Sequence, residues 1–466
     1  MNQTVNDWID AHKQELLDDI KDLCSIPSVK GSPEEGKPYG DGPYRSLQLA
    51  LSMAERYGFA TTNYDNYVGT ADIDPDLPRY LDMLAHTDVV PAGEGWTVTE
   101  PFHVIEKDGR LYGRGTSDDK GPLLCAMYAM RAIRETGIPL SKGVRLIMGA
   151  DEECGSSDID HYYSLEPEAE VTFSPDGDFP LINIEKGLFH GEISRVVPED
   201  KTLPRLLSLE AGIAVNAVPQ KAVLRFEGLD TGSDAVREAM ESVNRHCKVE
   251  CSFTGDQEIT VIGASAHAST PEMGRNAGLA AVLLACRLPL HESEQISFLK
   301  KIPQLFPYGI TDGSGIGINM SDPESHDLTC SLNIYHVEPG YMKFIFDSRT
   351  PICAVRENCQ DVAAKSVEEA GFAWNTEGMI PPHVVPSDSE FIRILLKSYE
   401  DVTGLKGECI AIGGGTYVHN LKNGVAFGAV MPGKDTRMHG ADEFFEIDNI
   451  ITAVKVYAEA IQNLCG

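Results

Sequence analysis

Apolar residues recur at helical spacing near the start of the chain. Within residues 7–26 they fall on one face, with acidic residues between them: Trp8, Ile9, Leu16, Leu17, Ile20 and Leu23. Pro27 ends this run, because proline lacks the amide hydrogen that a helix interior needs. The pattern therefore predicts a single helix over residues 7–26.

Strand-like and helical segments then alternate as far as residue 185. Apolar runs predict strands over residues 79–90, 144–150 and 171–174. A glycine turn at residues 113–115 leads into a predicted apolar helix over residues 123–133. Such alternation is typical of an α/β fold whose sheet has mainly parallel strands and is flanked by helices.

The pattern of residues 186–380 is different. Alternating apolar and polar positions predict short strands at residues 222–227, 258–262 and 343–347. One continuous apolar run predicts a helix over residues 276–286. We therefore expect an α+β domain that is inserted into the α/β domain.

The first pattern returns at residue 381. It predicts a helix over residues 389–402, a strand over residues 408–412, a glycine loop and a final helix that ends near Leu464. Residues 1–185 and 381–466 are thus predicted to form one domain around the insert. A chain of 466 residues is long enough for both domains.

The formal net charge of −32 narrows the choice of partners. So acidic a surface repels the phosphates of nucleic acids and anionic lipid head groups, and we expect binding to neither nucleic acid nor membrane. The longest apolar run, residues 278–286, is about half of the roughly 18 residues that span a bilayer. Residues 1–7 show no basic or apolar leader, and none of the 11 cysteines forms a CxxC pair. These features favour a cytoplasmic protein without a disulfide framework or a zinc ribbon.

Five groups of acidic and imidazole side chains follow predicted strand ends. They are His86 with Asp88, Asp118 with Asp119, Glu152 with Glu153, Asp176, and His439 far downstream. In open α/β sheets, ligands bind beyond the carboxyl ends of the strands, where such side chains can converge. Converging carboxylates repel one another unless a cation neutralises them. Imidazole and carboxylate ligands together suit zinc, with manganese or cobalt as alternatives.

Each of these signals also has a structural explanation. A pair of aspartates before a helix is usually a cap, and a pair of glutamates is usually a solvated surface pair. An aspartate before glycine usually lies in a turn. The sequence around these residues, taken jointly and in order, favours the chemical explanation.

Six motifs carry a resemblance to a known superfamily. They are His86-Thr87-Asp88-Val89-Val90-Pro91, Gly113-Arg114-Gly115-Thr116-Ser117-Asp118-Asp119-Lys120-Gly121, Asp151-Glu152-Glu153-Cys154-Gly155-Ser156, Ser174-Pro175-Asp176, Ala266-His267-Ala268-Ser269-Thr270-Pro271-Glu272 and Met438-His439-Gly440. In this order they resemble the two-metal aminoacylase, carboxypeptidase G and succinyl-diaminopimelate desuccinylase superfamily of metallopeptidases. The long insert and the segment Glu100-Pro101-Phe102 are most similar to its bacterial PepV-like and carnosinase-like dipeptidase branch.

The resemblance implies an architecture. It implies a zinc-peptidase-like catalytic domain formed by residues 1–185 and 381–466, with a lid domain over residues 186–380. Relatives with a shorter insert dimerise through it. The insert of this chain is long enough for two α+β halves, the second standing in for a partner, which implies a monomer.

The resemblance also implies a role for each motif residue. His86 and Asp176 would bind one divalent ion, Glu153 and His439 would bind the other, and Asp118 would bridge the two.

Two further acidic residues receive roles in catalysis. Glu152 would be the general base, which takes a proton from a metal-bridging water and later passes it to the leaving amine. Asp88 would hydrogen-bond the His86 ring and so fix its tautomer. The role of Asp119 stays open between orienting a substrate amine and capping its own helix.

Substrate contacts are implied for the lid. His267 would donate to the oxyanion, Asn216 would contact substrate, and the guanidinium of Arg349 would bind a substrate carboxylate. The alternative for His267 is a surface loop histidine, and the alternative for Arg349 is an ion pair with Asp347 at a strand end.

The glycine loop near the C-terminus is a further candidate for substrate binding. Gly413 follows a predicted strand and precedes Gly414, Gly415 and Thr416, after which we predict a helix. Backbone amides in such a loop can bind a peptide carboxylate. A simple tight turn is the alternative.

The implied function is metal-dependent hydrolysis of dipeptides and other short peptides that have a free N-terminus. An N-acyl amino acid amidohydrolase, of deacylase or desuccinylase type, is an alternative with the same chemistry. A non-catalytic relative is a third possibility, which the presence of Glu152 and of all the implied ligands disfavours.

Overall fold

Two compact units make up the chain. The computed structural model describes residues 2–466. The first unit extends to Ile184 and also contains Val384–Ile410 and Gly415–Gly466. The second unit comprises Glu185–His383 and Ala411–Gly414. The assignment of a catalytic and a lid domain stays a prediction.

The elements up to Glu185 alternate between helices and strands. The helices are α1 (Gln3–Ala11), α2 (Lys13–Cys24), α3 (Asp41–Arg56), α4 (Lys120–Glu135) and α5 (Ser157–Leu165), with a 3₁₀ turn at Glu152–Cys154. The strands are β1 (Ala60–Tyr64), β2 (Val68–Asp72), β3 (Arg79–His86), β4 (Ile105–Lys107), β5 (Arg110–Tyr112), β6 (Gly143–Gly149), β7 (Val171–Ser174) and β8 (Leu181–Glu185).

The middle of the chain contains longer strands and shorter helices. The strands are β9 (Gly187–Val196), β10 (Arg205–Ala211), β11 (Lys221–Glu227), β12 (Glu250–Gly255), β13 (Glu258–Ile262), β14 (Ser321–Asp322), β15 (His326–Asp327), β16 (Thr329–Glu338), β17 (Tyr341–Thr350), β18 (Ala373–Asn375), β19 (Met379–Ile380) and β20 (His383–Val384). The helices are α6 (Asp234–Cys247), α7 (Ala277–Ala285), α8 (Glu294–Leu299), α9 (Ile302–Leu305) and α10 (Gln360–Glu369), with 3₁₀ turns at Pro271–Met273 and Ser314–Ile316.

The last part of the chain returns to the first unit. Its elements are α11 (Glu390–Thr403), β21 (Cys409–Ile412), a 3₁₀ turn (Tyr417–Asn420), β22 (Gly424–Ala426), β23 (Phe444–Glu446) and α12 (Ile447–Cys465). Among the helices of residues 2–466, none combines the length and the low polarity that a membrane span requires.

The sheet of the first unit has a parallel centre. Its strands follow the order β1–β2–β6–β3–β7–β22–β8. β3 pairs in parallel with β6 and β7, and β22 pairs in parallel with β7, whereas β1, β2 and β8 pair antiparallel. The predicted α/β fold is therefore confirmed. The carboxyl ends of β3, β6 and β7 lie at one edge of the sheet.

Helices with apolar sequences cover this sheet. Fourteen residues of α4 are buried, and α4 packs against α12, which is also mostly buried. Half of the buried residues of α4 are alanine, leucine or methionine, which favour a helix. This packing fixes the start of α4, which directly follows Asp118 and Asp119.

The predicted helix over residues 7–26 is wrong in one respect. Two helices, α1 and α2, are separated at His12, which has φ −103° and ψ 10°. The His12 ring stacks on Trp8 with 3.8 Å between ring centroids, and its Nδ1 lies 2.7 Å from the Trp8 carbonyl oxygen. This local bond offers the backbone an alternative to a continued helix.

The helices predicted over residues 276–286 and 389–402 agree with α7 and α11. The side chains of Asn276 and Ser389 accept hydrogen bonds from the first turns of α7 and α11, as caps do. The strand predicted over residues 79–90 ends earlier, at His86. The residue that ends β3 is thus itself a candidate ligand.

The second unit contains an antiparallel sheet. Its strands follow the order β12–β13–β11–β10–β16–β17–β9–β18. β10 and β16 join at Leu209–Ala211 and Tyr335–Val337, so that strands from before and after residue 300 form one sheet. Helix α7, buried along nearly its whole length, packs on β10, β11, β13 and β16.

Candidate metal centre

Three candidate ligands and the predicted general base, Glu152, follow neighbouring strands of the first sheet. His86 is the last residue of β3, and Asp176 lies two residues beyond β7. Glu152 and Glu153 lie in the 3₁₀ turn that follows β6. Because these strands are parallel, the four side chains start from the same edge of the sheet.

Asp118 lies between two histidines. Its Oδ1 is 3.1 Å from Nε2 of His86, and its Oδ2 is 2.8 Å from Nε2 of His439. The carboxylate is almost fully buried, with 6% of the side chain exposed, whereas 51% of the His439 side chain is exposed. One carboxylate thus faces two imidazoles, one with each oxygen.

The remaining candidate ligands complete the cluster. Oδ2 of Asp176 is 3.7 Å from Nε2 of His86, and Oε1 of Glu153 is 3.3 Å from Nε2 of His439. Ligand atoms of His86, Asp118 and Glu153 lie within 4.8 Å of one another, and so do those of His86, Glu152 and Asp176. The structure therefore brings all five predicted ligands together with Glu152.

A backbone contact on the side of Nδ1 fixes the orientation of the His86 ring. Its Nδ1 lies 3.1 Å from the backbone oxygen of Asp88. Because a carbonyl oxygen can only accept, Nδ1 must carry the hydrogen. Nε2 then points into the cluster.

The carboxylate of Asp88 has a contact that we did not predict. It accepts hydrogen bonds from the backbone amides of Glu152 at 3.1 Å and Glu153 at 3.2 Å, one with each oxygen. Its distance to Nδ1 of His86 is 3.4 Å, longer than that of the Asp88 carbonyl oxygen. Asp88 therefore positions the glutamate turn with its side chain and the His86 ring chiefly with its backbone.

A second acidic residue supports the same turn. Oδ2 of Asp158 accepts hydrogen bonds from the amides of Ala150 at 2.5 Å and Asp151 at 2.9 Å, and from the Tyr417 hydroxyl at 2.5 Å. Lys30 pairs with the buried Asp151 carboxylate at 2.6 Å. Sequence reasoning missed these residues, because no spacing relates them to the turn and the polar sequence around Asp158 does not indicate a buried acid.

Asp119 binds the backbone of His86. Its Oδ2 accepts a hydrogen bond from the His86 amide at 3.0 Å, and its side chain makes no capping bond to α4. The capping explanation is therefore wrong. Asp119 is buried and helps to fix the end of β3.

The histidines and Asp118 stabilise one another's charges. Burial alone would raise the pKa of Asp118, but the neighbouring imidazoles of His439 and His86 hold the pKa below its ordinary value. Burial likewise opposes a charge on His439, yet Asp118 and Glu153 raise the pKa of that imidazole to about 11.

The other carboxylates destabilise one another's charges. Burial raises the pKa of Glu152 well above its ordinary value, and the charges of Asp176 and Glu153 add to this effect against the opposing influence of His86. Burial and the charge of Asp118 also raise the pKa values of Glu153 and Asp176. Divalent cations among these groups would relieve this repulsion.

The residues fit a divalent-cation centre. Nε2 of His86 and Oε1 of Glu153 are buried and have no hydrogen-bond partner among residues 2–466. Buried polar atoms without partners are costly, and coordination would remove that cost. Imidazole nitrogen and carboxylate oxygen are ligands that zinc accepts.

Two predicted substrate contacts lie together in the second unit. Ala217 and His267 form an antiparallel bridge, and the Ala268 amide donates to the Asn216 carbonyl at 2.8 Å. Both Asn216 and His267 are exposed, and Nδ1 of His267 lies 2.7 Å from the Ser269 hydroxyl.

Arg349 makes the ion pair that we considered as its alternative role. Its Nε and Nη2 donate to the two oxygens of Asp347 at 2.7 and 2.9 Å, and its Nη1 donates to the Gly413 carbonyl at 2.7 Å. These bonds occupy three of the five N–H donors of the guanidinium. Two donors are left for a carboxylate, so the ion pair does not rule out the substrate role.

The helix predicted after the glycine loop is wrong. A four-residue 3₁₀ turn, Tyr417–Asn420, follows instead, and the Thr416 hydroxyl caps it by accepting from the Val418 amide at 3.4 Å. So short a segment has little dipole, which removes the helix argument for a carboxylate site at Gly414 and Gly415. Their role in substrate binding now depends on the loop amides alone.

Residues 83–463 match the sequence profile of Peptidase family M20/M25/M40. This range includes every candidate ligand. The chain belongs to this family. The resemblance drawn from the six motifs and the prediction of a metallopeptidase are thereby confirmed.

Several proteins named dipeptidases resemble the chain over its whole length. It is 35% identical over 476 residues to the Beta-Ala-Xaa dipeptidase of Lactobacillus delbrueckii subsp. lactis, covering 100% of this chain and 99% of that protein. The crystal structure of human carnosine dipeptidase 1 aligns with a TM-score of 0.60 at 15% identity, over 99% of this chain and 98% of that chain. The structure of the Saccharomyces cerevisiae dipeptidase Dug1p gives 0.59 at 14% identity, over 99% and 98%. The structural likenesses show a shared fold.

Proposed function

We propose that this M20 family member is a dipeptidase, which hydrolyses the peptide bond of short peptides with a free N-terminus at a centre of two divalent cations. The observation that carries the proposal is the position of Asp118, whose two oxygens face His86 and His439 separately. The similarity to a Beta-Ala-Xaa dipeptidase over the whole chain supports the choice of substrate class.

The ligand set divides between two cations. His86 and Asp176 would hold one, Glu153 and His439 would hold the other, and Asp118 would contribute to both. Zinc is our first choice, because two imidazoles and three carboxylates suit it, with manganese and cobalt as alternatives. When bound, such ions polarise a substrate carbonyl and lower the pKa of water.

The protein's own groups then handle the proton and the substrate. Glu152, which the Asp88 carboxylate positions through its backbone amide, would take a proton from the attacking water and deliver it to the leaving amine. His267 would donate to the oxyanion that develops on the carbonyl.

Substrate binding would involve the second unit and the glycine loop. Asn216 would contact the peptide, and the two remaining N–H donors of Arg349 would bind its carboxylate. The amides of Gly414 and Gly415 and the side chain of Thr416 would add to that carboxylate site.

A matched substrate panel tests this function. We expect hydrolysis of dipeptides such as Ala-Ala and β-Ala-His, with kcat/KM at least about 100-fold above that for N-acetyl-alanine, because the proposed function requires a free N-terminus and sites that hydrogen-bond a substrate group discriminate strongly against its absence. Product amino acids are quantified by chromatography. Preferred cleavage of N-acyl amino acids would support the amidohydrolase instead, and no cleavage of any compound would support a non-catalytic relative.

We also propose that the enzyme acts as a cytoplasmic monomer. The pairing of β10 with β16, which joins strands from before and after residue 300 in one sheet, supports a lid that is complete within one chain. Light scattering is expected to give about the chain mass of 50.8 kDa at assay concentration. A mass of twice that value, with activity that falls on dilution, would contradict the proposal.

A further inference from the structure

A buried ion pair joins two of the ligand-bearing segments of the first unit. Nη1 of Arg114 lies 2.5 Å from Oε2 of Glu443, and their side chains are 1% and 0% exposed. Arg114 stands four residues before Asp118, and Glu443 stands four residues after His439. The pair therefore lies between the segments that carry two facing ligands.

The second oxygen of Glu443 binds the backbone that leads to Asp118. Oε1 accepts hydrogen bonds from the amides of Gly115 and Ser117, both at 3.0 Å, and lies 3.2 Å from the Ser117 hydroxyl. The Glu443 carbonyl also accepts from the Gly113 amide at 2.9 Å. One residue thus fixes the whole turn before Asp118.

The guanidinium of Arg114 binds the backbone of the other ligand segments. Its Nη2 donates to the carbonyl of His439 at 3.2 Å, and lies 3.4 Å from the carbonyls of both Pro91 and Ala92, which follow the His86 segment. A planar fork with several donors can hold such segments together in a way that a single ammonium cannot.

The segment around His439 needs external support. Three of its non-glycine residues have positive φ: Arg437 at 56°, His439 at 62° and Asp442 at 57°. This left-handed conformation is unfavourable for residues with a Cβ and persists only where surrounding contacts impose it. Packing supplies little of that support to His439, because half of its side chain is exposed.

We infer that Arg114 and Glu443 are positioning residues, which set His439 against Asp118 and thereby determine the affinity for the cation that these two ligands share. The inference rests on the proposed two-cation function. Their contacts with the ligand segments are with backbone atoms and the Ser117 hydroxyl, so both act through the position of those segments.

Titration of the metal-free protein with zinc alone tests this inference. Wild type is expected to bind two ions per chain. Glu443→Gln is expected to bind the ion that His439 and Asp118 share about 10- to 100-fold more weakly, as when residues that orient ligands are altered, and to weaken the other ion, to which Asp118 also contributes, by a smaller factor. Competition with a chromogenic chelator measures both affinities without using activity. Wild type that binds fewer than two ions contradicts the proposed function, whereas equal affinities in wild type and variant overturn only this inference.

Two further variants separate positioning from stability. Glu443→Gln leaves the charge of Arg114 buried without a counter-charge, which alone can destabilise the fold. The double variant Arg114→Met/Glu443→Gln removes that charge and is expected to retain the weak site; recovery of both affinities would overturn the inference. Asp72→Asn is the matched control, because Asp72 pairs with Arg145 at 2.8 Å between β2 and β6, at the far end of the sheet. It is expected to lower thermal stability without changing zinc affinity, and an equal loss of one site would also overturn the inference.

Discussion

Glu152→Gln is expected to lower kcat about 1,000-fold while the protein retains both cations, since a general base contributes about 10²- to 10⁴-fold. Glutamine preserves the volume of Glu152 but cannot accept a proton. The Asp88 carboxylate holds the Glu152 amide at 3.1 Å, so the turn is expected to keep its conformation. The measurement is kcat at saturating dipeptide, together with the metal content by mass spectrometry.

The neighbouring residue provides the matched control. Glu153→Gln is expected to lower metal occupancy, because Oε1 of Glu153 lies 3.3 Å from Nε2 of His439 and within the ligand cluster. The comparison of the two variants distinguishes a base from a ligand, since Glu152 also lies within 4.8 Å of ligand atoms of His86 and Asp176. If Glu152→Gln lost a cation and Glu153→Gln kept both, the two roles would have to be exchanged.

Convergence of the ligands was predictable from sequence because three of them follow parallel strands. The strand order places β3 between β6 and β7, so His86 lies between the glutamate turn and Asp176. The hydrophobic periodicity and the positions at which predicted strands end indicate such an edge from the sequence alone. The prediction that Asp118 and His439 also follow strand ends is wrong, because Asp118 lies just before α4 and His439 lies in the long loop between β22 and β23. Only their motifs placed them in the site.

The contacts that orient the ligands were not predictable. Asp88 is 64 residues from Glu152 in the chain, and nothing in the spacing says whether its side chain or its carbonyl faces His86. Turn conformation decides this, and it depends on both segments at once. The same holds for Asp119, whose position before a helix is typical of a cap but whose side chain binds the His86 amide.

The short turn after the glycine loop shows a different limit. The apolar side chains of Tyr417, Val418 and Leu421 fit a helix as well as a 3₁₀ turn. In the structure all three are buried in one cluster with Leu84 and Ile147 of the sheet. Packing of these few residues, rather than helix propensity, determines the local conformation.

Removal of the cations is expected to abolish dipeptidase activity and to lower thermal stability. Cations at 1,000 times their Kd stabilise the folded state by about 4 kcal/mol per site, provided that the unfolded chain does not bind them. Their loss also restores the repulsion among Glu152, Glu153 and Asp176, whose pKa values burial and neighbouring charges raise.

Dialysis against a chelator, followed by a melting curve and an activity assay, measures both effects, and zinc, manganese or cobalt is then added back. Asp118→Asn is the matched control, because Asp118 faces both histidines and its charge serves both cations. The melting temperature of this variant is expected to respond little to chelator or to added metal. An active enzyme after exhaustive chelation, with a melting curve that matches the untreated protein, would contradict the two-cation centre, since the buried carboxylates would then need no metal to share the site.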